Sequence, residues 1–175
     1  MRTILFDDFG RIVCGVDRHN WLNNEIKDRI QNIQRDFMKG NFPYENESFD
    51  LILSFDVIEH LYHPEVLLKV LHRHLAKDGI LIIATPNRNR FLGFFLQLFG
   101  LRKFPYGSKE NSRSDPYALH VIEYTCSELE KILIANGFKC TNRHKVFYGI
   151  TGWYGITYFF SLPLFHNIIL ECKKI

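Results

Sequence analysis

Apolar residues fall along this chain in two kinds of run. Within FDLILSF (49–55) and ILIIAT (80–85) they are consecutive, as in a strand buried on both faces in the middle of a parallel sheet. Phe49–Ser54 and residues 80–85 are therefore predicted strands. Between them Val66, Leu67, Val70, Leu71 and Leu75 repeat at helical spacing, behind a proline (Pro64) suited to a first helical turn. Lys77-Asp78-Gly79 is the predicted stop of that helix. RIVCGV (11–16) is a short apolar β-type run ending at Asp17, Trp21 to Ile30 a weakly amphipathic helix or loose turn, and Gln31–Phe37 a marginal strand followed by the loop KGNFPYENES.

In the C-terminal part, Thr125-Cys126-Ser127-Glu128 matches a capping box, in which the threonine side chain and the glutamate each satisfy a free N–H. Leu129, Ile132 and Leu133 follow on one helical face, and Gly137 supplies a left-handed stop. Phe138–Phe147 and Asn167–Glu171 read as closing strands. Strands alternating with helices, with no repeat or linker, predict a single α/β domain over 1–175 with a mostly parallel sheet. Residues 88–119 are the expected lid or substrate insertion within it.

Composition changes this picture little. The chain has 175 residues, 46% hydrophobic and 23% charged, enough for one full core, and a net charge of +3 is too mild to signal a nucleic-acid binder. Four widely spaced cysteines without a CxxC pair imply reduced thiols in a cytoplasmic protein rather than a disulfide framework or zinc site. The N-terminus lacks the long apolar region of a signal peptide. Residues 147–165 carry no charge, but their three glycines, proline and many tyrosines argue for buried loop, short helix and strand over a membrane span. With the aromatic-rich, basic-ended stretch 91–104 they suggest peripheral membrane contact or an apolar substrate.

In open α/β sheets ligands bind beyond the carboxyl ends of the strands. Asp17, Asp36-Phe37, Ser54-Phe55-Asp56 and Thr85-Pro86-Asn87 hold those positions here. A carboxylate at Asp17 suits two ribose hydroxyls or, equally, the N-terminus of a following helix. Asp36 with Phe37 could hold an adenine amine and ring face.

GVD (15–17), RDF (35–37), FPYENESFDLILSFDVIEHL (42–61), LLKVLHRHLAKDGILIIATPN (67–87) and HVIEYTCSELEKILIANGF (120–138) together resemble class I S-adenosylmethionine-dependent methyltransferases of the type 11 group. The resemblance implies a Rossmann-like sheet, mostly parallel, with an antiparallel final strand, and S-adenosyl-L-methionine as cofactor. By it Asp17 binds the ribose, Asp36 and Phe37 flank the adenine, and Ser54 and Phe55 lie beside the methionine part. The family's glycine-rich turn should precede a helix like Met1–Phe9, and nothing stands before that segment, so the first strand of the sheet is expected to be missing. Either the chain is a fragment of a longer protein or the flanking strands close on each other, which leaves its activity as it stands open.

Asp56, Glu59 and His60 share one turn after the LILSF strand. Small-RNA 3′-end 2′-O-methyltransferases and some quinone-biosynthesis O-methyltransferases carry Glu-x-x-Glu-His at this place. In the RNA group a later histidine joins them to hold a divalent cation. By that narrower resemblance Asp56, Glu59, His60 and His120 form a candidate cation site; the alternative is a set of satisfied structural residues. His120, then His60, are the candidate bases for a methyl acceptor that must lose a proton. His63, His72 and His74 are expected to be solvated on a helix face.

The implied function is methyl transfer, to oxygen by preference, on a small-molecule, glycan or lipid-linked acceptor. A non-catalytic binding or scaffold module of the same fold and a metal-dependent 2′-O-methyltransferase of RNA ends are the alternatives. A nucleotide-binding oxidoreductase is disfavoured by the lack of GxGxxG.

Overall fold

The structure, a computed structural model, describes residues 12–17, 30–36, 44–90, 98–100, 119–146 and 166–175. The predictions for Met1–Phe9, Trp21 to Arg29, Phe37 and the apolar segment 147–165 lie outside these residues, as do most of the 88–119 insertion and of the 91–104 stretch. Two compact units divide the chain, Met1–Tyr44 and Glu45–Ile175.

In the first unit, β1 (Cys14–Asp17) pairs in parallel with β2 (Gln31–Gln34), so that Cys14 faces Gln31 and Asp17 faces Gln34. At Gly15 the facing strands are close: a Cβ there would stand 2.8 Å from Asn32 Oδ1, so the Asn32 side chain would have to turn aside. The Tyr44 hydroxyl donates to the Gln31 carbonyl at 3.2 Å, anchoring the end of the unit to β2.

The second unit is built on a four-stranded sheet, among the described residues, in the order β3-β4-β6-β5. The strands are β3 (Phe49–Phe55), β4 (Leu75–Pro86), β5 (Phe138–Val146) and β6 (Asn167–Lys174). β3 and β4 run parallel, and β6 runs antiparallel to both of its neighbours, β4 and β5. Helix α1 (Pro64–His74) connects β3 to β4, with Pro64 in its first turn as expected. Helix α2 (Cys126–Ala135) leads into β5, and both legs of the Thr125/Glu128 capping box are made. Gly137 takes φ +85° at its end.

Three local expectations are corrected. The helix stops at His74, because Leu75 already pairs with Phe49 at the start of β4. Lys77-Asp78-Gly79 lies in an irregularity of β4, where the register moves from Phe49↔Leu75 to Leu51↔Ile80. The glycine is needed there, since a Cβ at Gly79 would meet Leu75 Cδ1 at 2.8 Å. The inner face of α1 comprises Leu67, Leu68, Leu71 and His74. His74 is thus buried rather than solvated, and its Nδ1 donates to the Val70 carbonyl at 2.8 Å, which satisfies the buried N–H.

Leu68, Leu75, Leu81, Ile83, Leu129, Leu133, Phe138 and Leu170 are fully buried. They form the hydrophobic core of this unit and hold the carboxyl ends of β3 and β4 in place. β5 stands at the sheet edge with a mostly exposed, basic sequence including Lys139, Arg143 and Lys145, which discourages pairing with another chain. No helix among the described residues is long and apolar enough to cross a membrane.

Candidate active site

In the first unit Asp17 closes β1, and the Arg35 N–H donates to its carbonyl at 2.7 Å. Asp36 follows directly, so Asp17 and Asp36 stand at the same, carboxyl end of the parallel pair. β2 ends at Gln34, short of the expected Gln31–Phe37, so Asp36 lies two residues beyond the strand; Phe37 lies outside the described residues.

In the second unit β3 delivers buried Ser54, partly exposed Phe55 and then Asp56 to its carboxyl end. Asp56 has φ +53°, a left-handed conformation unusual for a residue with a Cβ, and its N–H donates to the Ala84 carbonyl at 3.0 Å. This sharp turn redirects the chain into a single 3₁₀ turn, Ile58–His60, which points Glu59 inward. Burial pushes the Asp56 carboxyl above its ordinary range, while nearby His60 pulls the other way.

Glu59 is completely buried. Its Oε2 accepts from Thr85 Oγ1 at 2.8 Å, and its Oε1 has no hydrogen-bond partner. Desolvation raises its pKa to about 7; its own backbone N–H and Thr85 oppose the rise, and Asp56 and Glu123 add to it. The Glu59 carbonyl accepts from the N–H groups of Val121 and Ile122 at 2.8 and 3.2 Å, tying the segment before α2 to this turn. A parallel bridge between Asn87 and Tyr124 fixes the same segment to the end of β4.

His120 arrives on that segment. Its Nδ1 lies 2.9 Å from Oε1 of fully buried Glu123, which also accepts from Arg90 at 2.8 Å. His60 Nδ1 lies 2.9 Å from the Leu119 carbonyl. A carbonyl and a carboxylate can only accept, so both imidazoles carry their proton on Nδ1 and present Nε2 as the basic nitrogen. His60 Nε2 is 3.9 Å from Glu59 Oε1, and the ligand atoms of Glu59, His60 and His120 lie within 4.8 Å of one another. Of the four residues expected around a cation, these three come together, and Asp56 is not in the group.

Sequence reasoning missed the supporting residues Glu123 and Arg90, and it placed Thr85 at a strand end without its contact to Glu59. The His120/Glu123 spacing of three was a usable signal for the first of them. The Thr85 and Arg90 contacts required the fold.

The methyltransferase-domain family matches residues 3–142. Among curated relatives, a probable S-adenosylmethionine-dependent methyltransferase of Mycolicibacterium smegmatis is 26% identical over 148 residues, covering 83% of this chain and 50% of the relative. A ubiquinone biosynthesis O-methyltransferase of Glaesserella parasuis is 32% identical over 89 residues, covering 45% of this chain and 38% of the relative. The chain spans about half or less of the length of these curated relatives. A solved Burkholderia thailandensis 1,6-didemethyltoxoflavin-N1-methyltransferase superposes with a TM-score of 0.66 at 18% identity, covering 98% of this chain and 65% of that one. A SAM-dependent methyltransferase of Thermotoga maritima gives 0.63 at 21% identity, over 94% and 73%. At these identities the structural likeness establishes the Rossmann-like methyltransferase fold alone.

Proposed function

The chain belongs to the methyltransferase-domain family, and from that premise we propose that it serves S-adenosylmethionine-dependent methyl transfer to an oxygen of a small-molecule acceptor. The observation that carries the reading is the acid–imidazole cluster of Glu59, His60, His120 and Glu123 beyond the carboxyl ends of β3 and β4, where sheets of this kind place their chemistry. The ubiquinone O-methyltransferase relatives support oxygen as the atom methylated.

The cofactor, when bound, supplies an electrophilic methyl group on a sulfonium. By the family resemblance Asp17 would accept from the ribose hydroxyls and Asp36 would meet the adenine, while in the second unit Ser54 and Phe55 would flank the methionine portion. Alignment of nucleophile and methyl provides most of the acceleration in such a displacement, so the protein's main task is positioning. Where the acceptor must lose a proton, His120 Nε2 is the base. Glu123 holds its tautomer and favours the imidazolium that forms.

A second reading is favoured by one observation, the buried Glu59 oxygen without a partner. Glu59, His60 and His120 each offer a ligand atom within 4.8 Å of the others, a set suited to a divalent cation, and the acceptors on both Nδ1 atoms are the outer hydrogen bonds that ligating imidazoles make. A cation bound there supplies a positive charge that lowers the pKa of an acceptor hydroxyl.

Titration calorimetry with S-adenosylmethionine tests the proposal. Binding at about micromolar Kd, weakened roughly tenfold or more in Asp17→Ala by loss of a bidentate charge-assisted contact, is the expected result. A chain that folds yet binds no cofactor is instead a non-catalytic module of this fold. An acceptor with a lipid or glycan portion would be revealed by turnover of such a substrate.

A further inference from the structure

The four cysteines, spread along the chain, hide a close pair. Cys140 in β5 and Cys172 in β6 are direct cross-strand partners in the antiparallel ladder, and their Sγ atoms stand 2.7 Å apart. Facing residues of an antiparallel pair have Cα atoms about 4.5–5.5 Å apart, inside the range that a disulfide spans without moving the backbone. We propose that Cys140 and Cys172 form a reversible disulfide that staples the closing hairpin when the protein meets hydrogen peroxide or an organic hydroperoxide.

The two thiols divide the work. Cys140 lies on β5, the edge strand among the described residues, and is partly exposed, whereas Cys172 beside it on β6 is fully buried. The hydrogen bond from Cys172 lowers the Cys140 pKa against the opposing effects of burial and Glu130, with Arg143 helping slightly; the same contact and burial raise that of Cys172. The Cys140 thiolate attacks the peroxide oxygen, breaking the O–O bond and giving a sulfenic acid and water (an alcohol from an organic hydroperoxide). Cys172 then attacks the Cys140 sulfur as its proton leaves, forming the S–S bond and releasing a second water. Two thiols are oxidised by two electrons, and one peroxide is reduced. The bond closes a loop of chain from β5 to β6. Nothing in this step depends on methyl transfer.

The test uses the whole chain, treated with hydrogen peroxide and digested without reductant. A peptide joining Cys140 to Cys172, lighter by two hydrogens and split by dithiothreitol, is expected. The oxidised chain should melt about 5 °C or more above the reduced one, because the bridge restricts the unfolded state. In Cys140→Ser no peptide linked to Cys172 should form and the melting temperature should not respond to peroxide. Sulfinic acid at Cys140 without the linked peptide, or linkage of Cys140 to Cys14 or Cys126 instead, would overturn the assignment.

Discussion

The imidazoles of His60 and His120 meet edge to face, with centroids 4.8 Å apart and planes at 87°. Each is oriented from behind, His60 by the Leu119 carbonyl and His120 by the Glu123 carboxylate. His60 Nε2 lies 3.9 Å from the Glu59 oxygen that has no hydrogen-bond partner, and a ligand atom of His120 lies within 4.8 Å of the pair. A pair so fixed costs side-chain entropy to hold, which is reasonable at a place where geometry is used for binding or chemistry.

Manganese or magnesium added at about a hundred times its Kd should stabilise the chain by about 2.7 kcal/mol, read as a rise in melting temperature. Glu59→Gln should lose that response, because the amide gives up the anionic ligand. It should also raise the stability of the cation-free chain at pH 8, since a neutral group is cheaper to bury. An equal cation response in wild type and variant would dismiss the cation reading and leave His120 as the base.

Glu123→Gln keeps the shape of the side chain while removing the charge that favours His120 as a donor at Nδ1 and as an imidazolium. Turnover should fall about tenfold to a hundredfold, with substrate KM little changed. The pH–rate profile should shift to a lower apparent pKa for the base, because the imidazolium loses a neighbouring anion. A profile that keeps its wild-type midpoint would reduce Glu123 to a structural partner of Arg90.

Gly137→Ala meets two obstacles. Its φ of +85° disfavours any Cβ, and the new methyl would stand 2.8 Å from His72 Nε2. Destabilisation of about 1–3 kcal/mol is expected by urea denaturation. Adding His72→Ala should restore only part of the loss, since it removes the clash and leaves the backbone strain. Full recovery would show that the dihedral carries no cost.

Leu170→Ala should cost about 2–5 kcal/mol in the same experiment. Leu170 is fully buried in β6, the strand that joins β4 to β5, so the cavity opens in the middle of the sheet. A loss below 1 kcal/mol would mean that the site collapses around the missing atoms.

The order of residues by itself determined those features that short-range physics controls. Pro64 starts α1, Thr125 and Glu128 cap α2 reciprocally, Gly137 adopts the left-handed turn, and LILSF and ILIIAT form strands. Each depends on neighbours within a few positions, where spacing alone sets which groups can meet. The methyltransferase family was legible for the same reason, since its strand-end residues follow one another in a set order along the chain.

Only the tertiary structure decided what meets across long separations. β6 lies between β4 and β5, which sets Cys140 against Cys172. Leu75 is drawn from the helix into β4 by Phe49, and His74 is buried with its predecessor turn satisfying it. Glu59 finds Thr85, while His120 comes to His60 on a segment whose backbone is held by the Glu59 carbonyl. Such contacts depend on which strands pair and in what register, and the local pattern of apolar and polar residues is compatible with more than one pairing. Burial of the shared core selects among them, and with that choice the buried acid and the two imidazoles come to one place.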